Sequence, residues 1–490
     1  AGRRDGWLWL GAPVAAALAS LALPAVRGML AALVEVRSST ILEHQAVTLS
    51  GIGSFYATAA VLAPLAALGL IFRPRPRAVA VVLYGLLLLA LWIRTHDFIY
   101  LGPPFVALLA SLVVAPRLHR PWQYGLAAVA LFAPMAWTSP WWPRPDQVAT
   151  LKVLTEPWVE ATGWMREHTP PPSLDLEAPT RNWGPDLNYP PGTYGVFTAW
   201  DRGHFVACLA RRPVVMSQTE SWQIGAWLSL QDEDEALTRL QEGCQDSERV
   251  DYVVLGTETA AEGFLTTMEV AGKSRSDFEV PGEQFSFEGE NYQLPVYGEA
   301  YERSMVYRLL LEEGQGLGHF RLVYQTRAQA FVAYWAALNR ANGKMEVIRR
   351  SFPITEAEWE KYRAVSGVRG VFPAQGGHFY RGLLVPAVSV YQVVPGARVR
   401  GRARPGQEVT ARLVLRSGRT GRQWSFHRTA VAGPNGRYEL VLPYPTVPDD
   451  GSDIQAAGPY SVPGLLLPVS REQVQRGDVI ELPEVPAVNR

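Results

Sequence analysis

Residues 194–204 read Tyr194-Gly195-Val196-Phe197-Thr198-Ala199-Trp200-Asp201-Arg202-Gly203-His204. Tyr194–Thr198 is a short apolar run, the pattern of a buried strand. An indole, a carboxylate and a guanidinium follow it, and Gly203 suits a tight strand-to-helix turn. Tyr252–Leu255 reads as a second buried strand. The acidic run Gln231–Gln241 between them reads as an exposed helix. Strands alternating with helices predict an α/β layer. Upstream, residues 147–170 read as a helix: Trp158, Ala161 and Met165 recur near helical spacing, and Pro170-Pro171-Pro172 stops the pattern.

Working outward, the pattern changes on both sides. From about residue 386 the β-rich runs Val388–Val394, Val399–Ala403, Glu408–Leu415, Gln423–Ala430 and Arg437–Leu442 are punctuated by Pro395-Gly396, Pro405-Gly406 and Asn435-Gly436. They predict a C-terminal all-β sandwich over 386–490. Before it, 141–385 is expected to be a mixed α/β domain. Residues 1–140 hold apolar runs at about 7–27, 54–72, 78–93, 98–115 and 122–138. Each is close to the roughly 20 residues that cross a bilayer, so a multi-span α-helical membrane domain is expected.

The arginines orient those spans. Arg3 and Arg4, then Arg73, Arg75 and Arg77, then Arg117 and Arg120 fall on alternate connections. Basic connections favour the cytoplasmic side, so the loop 28–53 and everything after the fifth run are expected outside the cytoplasm. The 490 residues exceed one ordinary domain. A formal net charge of +0 gives no electrostatic attraction to nucleic acid. Two cysteines, Cys208 and Cys244, exclude a disulfide framework and show no zinc spacing; they allow at most one bridge. No Asn-x-Ser/Thr sequon occurs in the chain.

The stretch Ala199-Trp200-Asp201-Arg202-Gly203 resembles the W-W-D-Y-G signature of oligosaccharyltransferase catalytic subunits, most closely the archaeal and bacterial single-subunit enzymes. Other stretches resemble the family in the same order along the chain. Thr40-Ile41-Leu42-Glu43 resembles its T-I-x-E motif, and Trp164–Pro170 the approach to the signature. Ser304–Leu309 and His319–Tyr324 resemble a later block. Tyr391–Ala397 with Gly458-Pro459-Tyr460 resembles the C-terminal β domain of archaeal members.

The resemblance implies transfer of a glycan from a lipid-linked oligosaccharide to Asn of N-x-Ser/Thr in an acceptor polypeptide, at a membrane. The amide nitrogen is a poor nucleophile because its lone pair is delocalised into the carbonyl. The family answers with carboxylates on the amide, a divalent metal (Mg or Mn) on the departing phosphate, and tight positioning of the sequon. By resemblance Glu43 contacts the acceptor amide, and Trp200 and Asp201 hold the sequon hydroxyl. An indole only donates and a carboxylate only accepts, so together they read a group that does both. Arg202 and Gly203 complete that signature, Met268 is the candidate apolar contact to the sequon, and Arg94 is the candidate lipid-phosphate residue.

The departures matter equally. Ala199 replaces the first Trp, Arg202 replaces Tyr, and Asp97 stands before Phe98 where the family offers Arg. Nothing before residue 40 resembles the family's catalytic Asp or its Asp-x-Asp metal ligands, so those ligands are not expected in this chain. Two readings follow: the C-terminal part of a glycosyltransferase whose N-terminal membrane domain is missing here, or a non-catalytic, membrane-anchored binding or scaffold relative.

Overall fold

The computed structural model describes residues 145–173, 192–199, 201–215, 221–241, 249–339, 344–354, 369–374, 377–447 and 451–483. All but the first few of these belong to one compact unit, Ala149–Arg490. The five apolar runs of the sequence lie outside the described residues, as do the loop 28–53 and Cys244. Among the described residues no helix is long and apolar enough to cross a membrane. Cys208 is exposed and free.

The chain enters through helix α1 (Pro145–His168), which is followed by strand β1 (Tyr194–Thr198). A short helix α2 (Gly203–Phe205) continues into a π-helical turn, Val206–Ala210. Helices α3 (Ser221–Leu228) and α4 (Glu233–Gln241) lead to strand β2 (Arg249–Gly256). Helices α5 (Thr257–Ala260) and α6 (Glu262–Val270) follow directly. β1 and β2 pair in parallel, which requires the helical crossover that α2 to α4 supply.

The apolar runs alternate their side chains between two layers. Tyr194, Val196, Tyr252 and Val254 pack with Trp158, Ala161 and Met165 of α1 and with Val206 and Ala210. Phe197, Val253 and Leu255 pack with Ile224 and Trp227 of α3, Leu240 of α4, and Phe264 and Met268 of α6. A strand buried on both faces reads as a continuous apolar run because neither face meets water.

Beyond α6 comes a hairpin of β3 (Glu279–Phe287) and β4 (Glu290–Tyr297). Short helices α7 (Glu299–Glu302) and α8 (Met305–Leu310) precede strand β5 (Phe320–Gln325). A second sheet has the order β7-β6-β9-β8, from β6 (Gln329–Asn339), β7 (Lys344–Ile354), β8 (Arg369–Ala374) and β9 (Gly377–Pro386). Strand β10 (Val388–Val393) then returns to the first sheet, whose order is β1-β2-β10-β5. Val390 lies against Val254 of β2 and Tyr324 of β5. The sequence reading put this strand at the head of the C-terminal domain. Its antiparallel pairing on both sides places it in the α/β layer instead, and the β domain starts at the next strand.

That domain has one sheet of β11 (Ala397–Arg402), β14 (Arg437–Leu442) and β18 (Val479–Glu481). The other is built on β12 (Glu408–Ser417) and β13 (Gln423–Val431), with β15 (Ile454–Ala456), β16 (Tyr460–Val462) and β17 (Leu465–Leu467). In β12, Val409, Ala411, Leu413 and Leu415 are buried while Glu408, Arg412, Val414 and Arg416 are exposed, the period-two pattern of a strand with one face on the core.

Two buried carboxylates tie the β domain to the α/β layer. Glu233, at the start of α4, accepts bonds from the backbone N–H groups of Gly318 and His319, both at 2.6 Å. Its other oxygen lies 3.0 Å from Nη1 of Arg428 on β13. Glu313 takes both terminal nitrogens of Arg422, at 2.5 and 2.6 Å, and the side-chain amide of Gln325 at 3.0 Å. The helix read as exposed therefore has one buried stripe, Glu233, Ala236 and Leu240, which a count of its acidic residues conceals.

Candidate functional site

The C-terminal ends of β1 and β2 lie side by side because the strands are parallel and adjacent. In α/β sheets this edge is where ligands bind, since side chains leaving neighbouring strands converge there. Asp201 leaves β1 and Glu258 leaves β2. Arg202 reaches both: its Nε lies 2.9 Å from Glu258 Oε1 and 3.4 Å from Asp201 Oδ2. The first distance is a charge-assisted hydrogen bond; the second is too long for a strong one.

Helix α1 sets the back of the site. Trp158 is buried, and its indole N–H donates to the same Glu258 Oε1 at 3.0 Å. The Arg202 guanidinium carbon sits 5.9 Å from the Trp158 ring centre, and Phe205 stacks on that ring at 6.1 Å. Gly256 leaves room for Glu258 to fold back: a Cβ there would stand 2.3 Å from Glu258 Oε2. Loss of hydration raises the Glu258 pKa above the usual carboxylate value, while the Arg202 charge pulls it down.

A second buried guanidinium fixes the chain just after the site. Arg212 donates from Nε to Thr169 Oγ1 at 2.8 Å and from Nη2 to the Thr169 carbonyl at 2.8 Å. It also bonds the carbonyls of Met165, Arg166 and Ala210. These include carbonyls freed at the C-terminal end of α1, where a cation suits the helix dipole.

The sequence-predicted residues fall out as follows. Asp201 is half-exposed at the strand edge, and Arg202 is beside it. Gly203 is buried, and its backbone is not in the left-handed region. Its close contact is one of packing: a Cβ would meet Val214 Cγ1 at 3.2 Å, which that side chain would have to relieve by a few tenths of an ångström. The turn-conformation role expected for Gly203 is thus corrected to a packing role. Met268 is 1% exposed in the core beneath β2, so it presents no surface to a peptide, and its assignment as a sequon contact is withdrawn. Ala199 is buried and carries no hydrogen-bonding side chain. Glu43, Arg94, Asp97 and Trp200 lie outside the described residues. Among the described residues no three His, Cys, Asp or Glu side chains come together to hold a metal ion. These residues do not fit a metal site.

Sequence reasoning missed Glu258. Its signal was available: Gly256-Thr257-Glu258 closes an apolar strand much as Ala199-Trp200-Asp201 does, and two parallel strands deliver both carboxylates to one edge.

Comparison with known proteins agrees with the sequence resemblance. The family described as the archaeal glycosylation protein B long peripheral domain matches residues 396–480, the β domain. The dolichyl-monophosphooligosaccharide–protein glycotransferase AglB of Haloferax volcanii is 24% identical over 459 residues, covering 76% of this chain and 41% of the relative. The solved structure of Archaeoglobus fulgidus AglB in complex with an inhibitory peptide and a dolichol-phosphate superposes with a TM-score of 0.61 at 17% identity, over 98% of this chain and 64% of that one. The Archaeoglobus fulgidus oligosaccharyltransferase in complex with Zn and sulfate gives 0.59 at 18%, over 94% and 62%. At such identities the solved structures establish the fold. The chain spans about two fifths of the length of the curated relatives it matches. The chain is thus similar to archaeal AglB oligosaccharyltransferases over about three quarters of its length, and its β domain matches their long peripheral domain.

Proposed function

We propose that this chain is the acceptor-holding part of a membrane oligosaccharyltransferase that moves a lipid-linked glycan to Asn of N-x-Ser/Thr. The observation that carries this reading is the half-exposed Asp201 carboxylate at the parallel-strand edge, 3.4 Å from Arg202, which lies closer to Glu258. A carboxylate with free lone pairs accepts from the sequon hydroxyl, and Trp200 supplies the donor that the hydroxyl oxygen needs. By resemblance, Glu43 is the candidate for the acceptor amide and Arg94 the candidate for the lipid phosphate. Residues 1–140 anchor the chain in the membrane, and the α/β and β domains lie outside the cytoplasm. A divalent metal, Mg or Mn, serves the complete enzyme, through ligands not expected in this chain.

The test is Asp201→Ala in the complete protein, with an N-x-Thr reporter peptide and the lipid-linked donor. Glycosylation should fall to background. Undiminished transfer would remove Asp201 from the acceptor site. The scaffold reading has its own support in Ala199, which has no donor, and in Arg202, which lies 3.4 Å from Asp201. It predicts peptide binding without transfer in the complete protein.

A further inference from the structure

We infer that Glu258 is a positioning residue: it draws Arg202 away from Asp201 and so keeps the Asp201 carboxylate open to the acceptor hydroxyl. This inference rests on the acceptor-site reading of Asp201 and deepens it.

Two anions compete for one cation at this edge. A single nitrogen, Arg202 Nε, faces both, and it lies closer to Glu258 than to Asp201 by half an ångström (2.9 against 3.4 Å). Three further features favour Glu258 in that competition. The Trp158 indole N–H holds Glu258 Oε1 from behind at 3.0 Å. The Arg202 guanidinium rests against the Trp158 ring, a cation–π contact on the Glu258 side. The missing side chain of Gly256 lets the carboxylate fold back into reach. Glu258 is also the less exposed of the two carboxylates, at 25% against 41%, so its attraction to Arg202 is less screened by water.

Without the Glu258 charge, Arg202 would close on Asp201. A guanidinium and a carboxylate left alone form a paired, two-bond contact that consumes the acceptor lone pairs. Arg202 is then an inhibitor of the site held in check, and Glu258 is what holds it. A purely structural Glu258 predicts a different result, because its loss would not depend on whether Arg202 is present.

The experiment measures binding of a fluorescein-labelled Asn-Ala-Thr peptide to the complete protein in detergent. Glu258→Gln should weaken binding roughly tenfold, the size of one lost charge-assisted contact. Glu258→Asp, which keeps the charge, should recover part of that loss. In an Arg202→Ala background, Glu258→Gln should change affinity by less than about twofold, because the competitor is gone. The inference is overturned if Glu258→Gln binds like the parent while Asp201→Ala binds weakly. It is overturned as well if Glu258→Gln weakens binding equally with and without Arg202, whether through misfolding or otherwise. If Asp201→Ala leaves binding unchanged, the acceptor reading falls first and this inference falls with it.

Discussion

Arginine–carboxylate pairs do two different jobs in this molecule. At the seam between the α/β layer and the β domain, Glu313 is 9% exposed and meets Arg422 one to one, through two short bonds. Glu233 is likewise buried, with both oxygens in use. At the β1–β2 edge the stoichiometry differs. Two partly exposed carboxylates share one Arg202 nitrogen, and Asp201 has the longer contact, at 3.4 Å. Matched one to one on a buried carboxylate, the pair is a lock. Mismatched and wetter, it is a receptor with unused acceptor capacity.

The largest expected effect breaks the lock. Glu313→Ala takes the buried acceptor away from the Gln325 amide and from Arg422, whose guanidinium can turn to water, and should cost roughly 2–3 kcal/mol of stability. Denaturant unfolding of the full chain measures it. Replacing both members, Glu313→Leu with Arg422→Met, should recover most of the loss, since the Glu313 carboxylate then no longer has to be desolvated. A double variant as unstable as the single one would show that the seam depends on the ion pair and not on packing.

The same contrast explains what was legible in the sequence. Buried strands and alternating strands announce themselves by local pattern, and Tyr194–Thr198, Tyr252–Leu255 and the runs of β11 to β14 were read from it. Partner choice is not local. Val388–Val393 has the apolar pattern of a strand in either domain, and only its pairing with Val254 and Tyr324 decides between them. Glu258 meets Arg202 across 56 residues and Trp158 across 100, so no window of sequence contains the site. Glu233 looked like one more acid on a solvated helix because its partners Gly318, His319 and Arg428 lie far along the chain. Met268 failed in the opposite direction: an apolar residue offered as a ligand contact was serving the core.

A smaller effect separates stability from binding at the strand edge. Burial holds the Glu258 pKa above the ordinary value, opposed by Arg202 and by the bond from Trp158, and reinforced by the charge of Asp201. The folded chain therefore grips that proton more tightly than the unfolded chain, whose glutamate titrates near about 4.3. Its contribution to stability is full below that pH and is lost as pH rises through the folded value. Glu258→Gln abolishes this titration. Unfolding curves collected from pH 4 to pH 7 should show the variant gaining on the parent as pH rises, even though it binds the Asn-Ala-Thr peptide less well. Parallel pH profiles would mean that Glu258 is not desolvated, and the competition with Asp201 would lose one of its supports.

The smallest effect sharpens the comparison within a single helix. Glu233 and Glu235 are two residues apart on α4, carry the same charge and sit in the same first turn. Glu235 pairs with Arg239 one turn on, at 3.7 Å, with both side chains about half exposed. Water screens that pair, and ordering two long side chains offsets most of the attraction, so Glu235→Ala should cost only a few tenths of a kcal/mol. Glu233→Ala instead strips two backbone N–H groups and Arg428 of their shared acceptor, and should cost about 1–3 kcal/mol. Helix propensity works slightly in favour of alanine at both positions and so cannot produce the difference. Equal losses for the two variants would mean that charge near the helix start, and not burial against the β domain, is what Glu233 contributes.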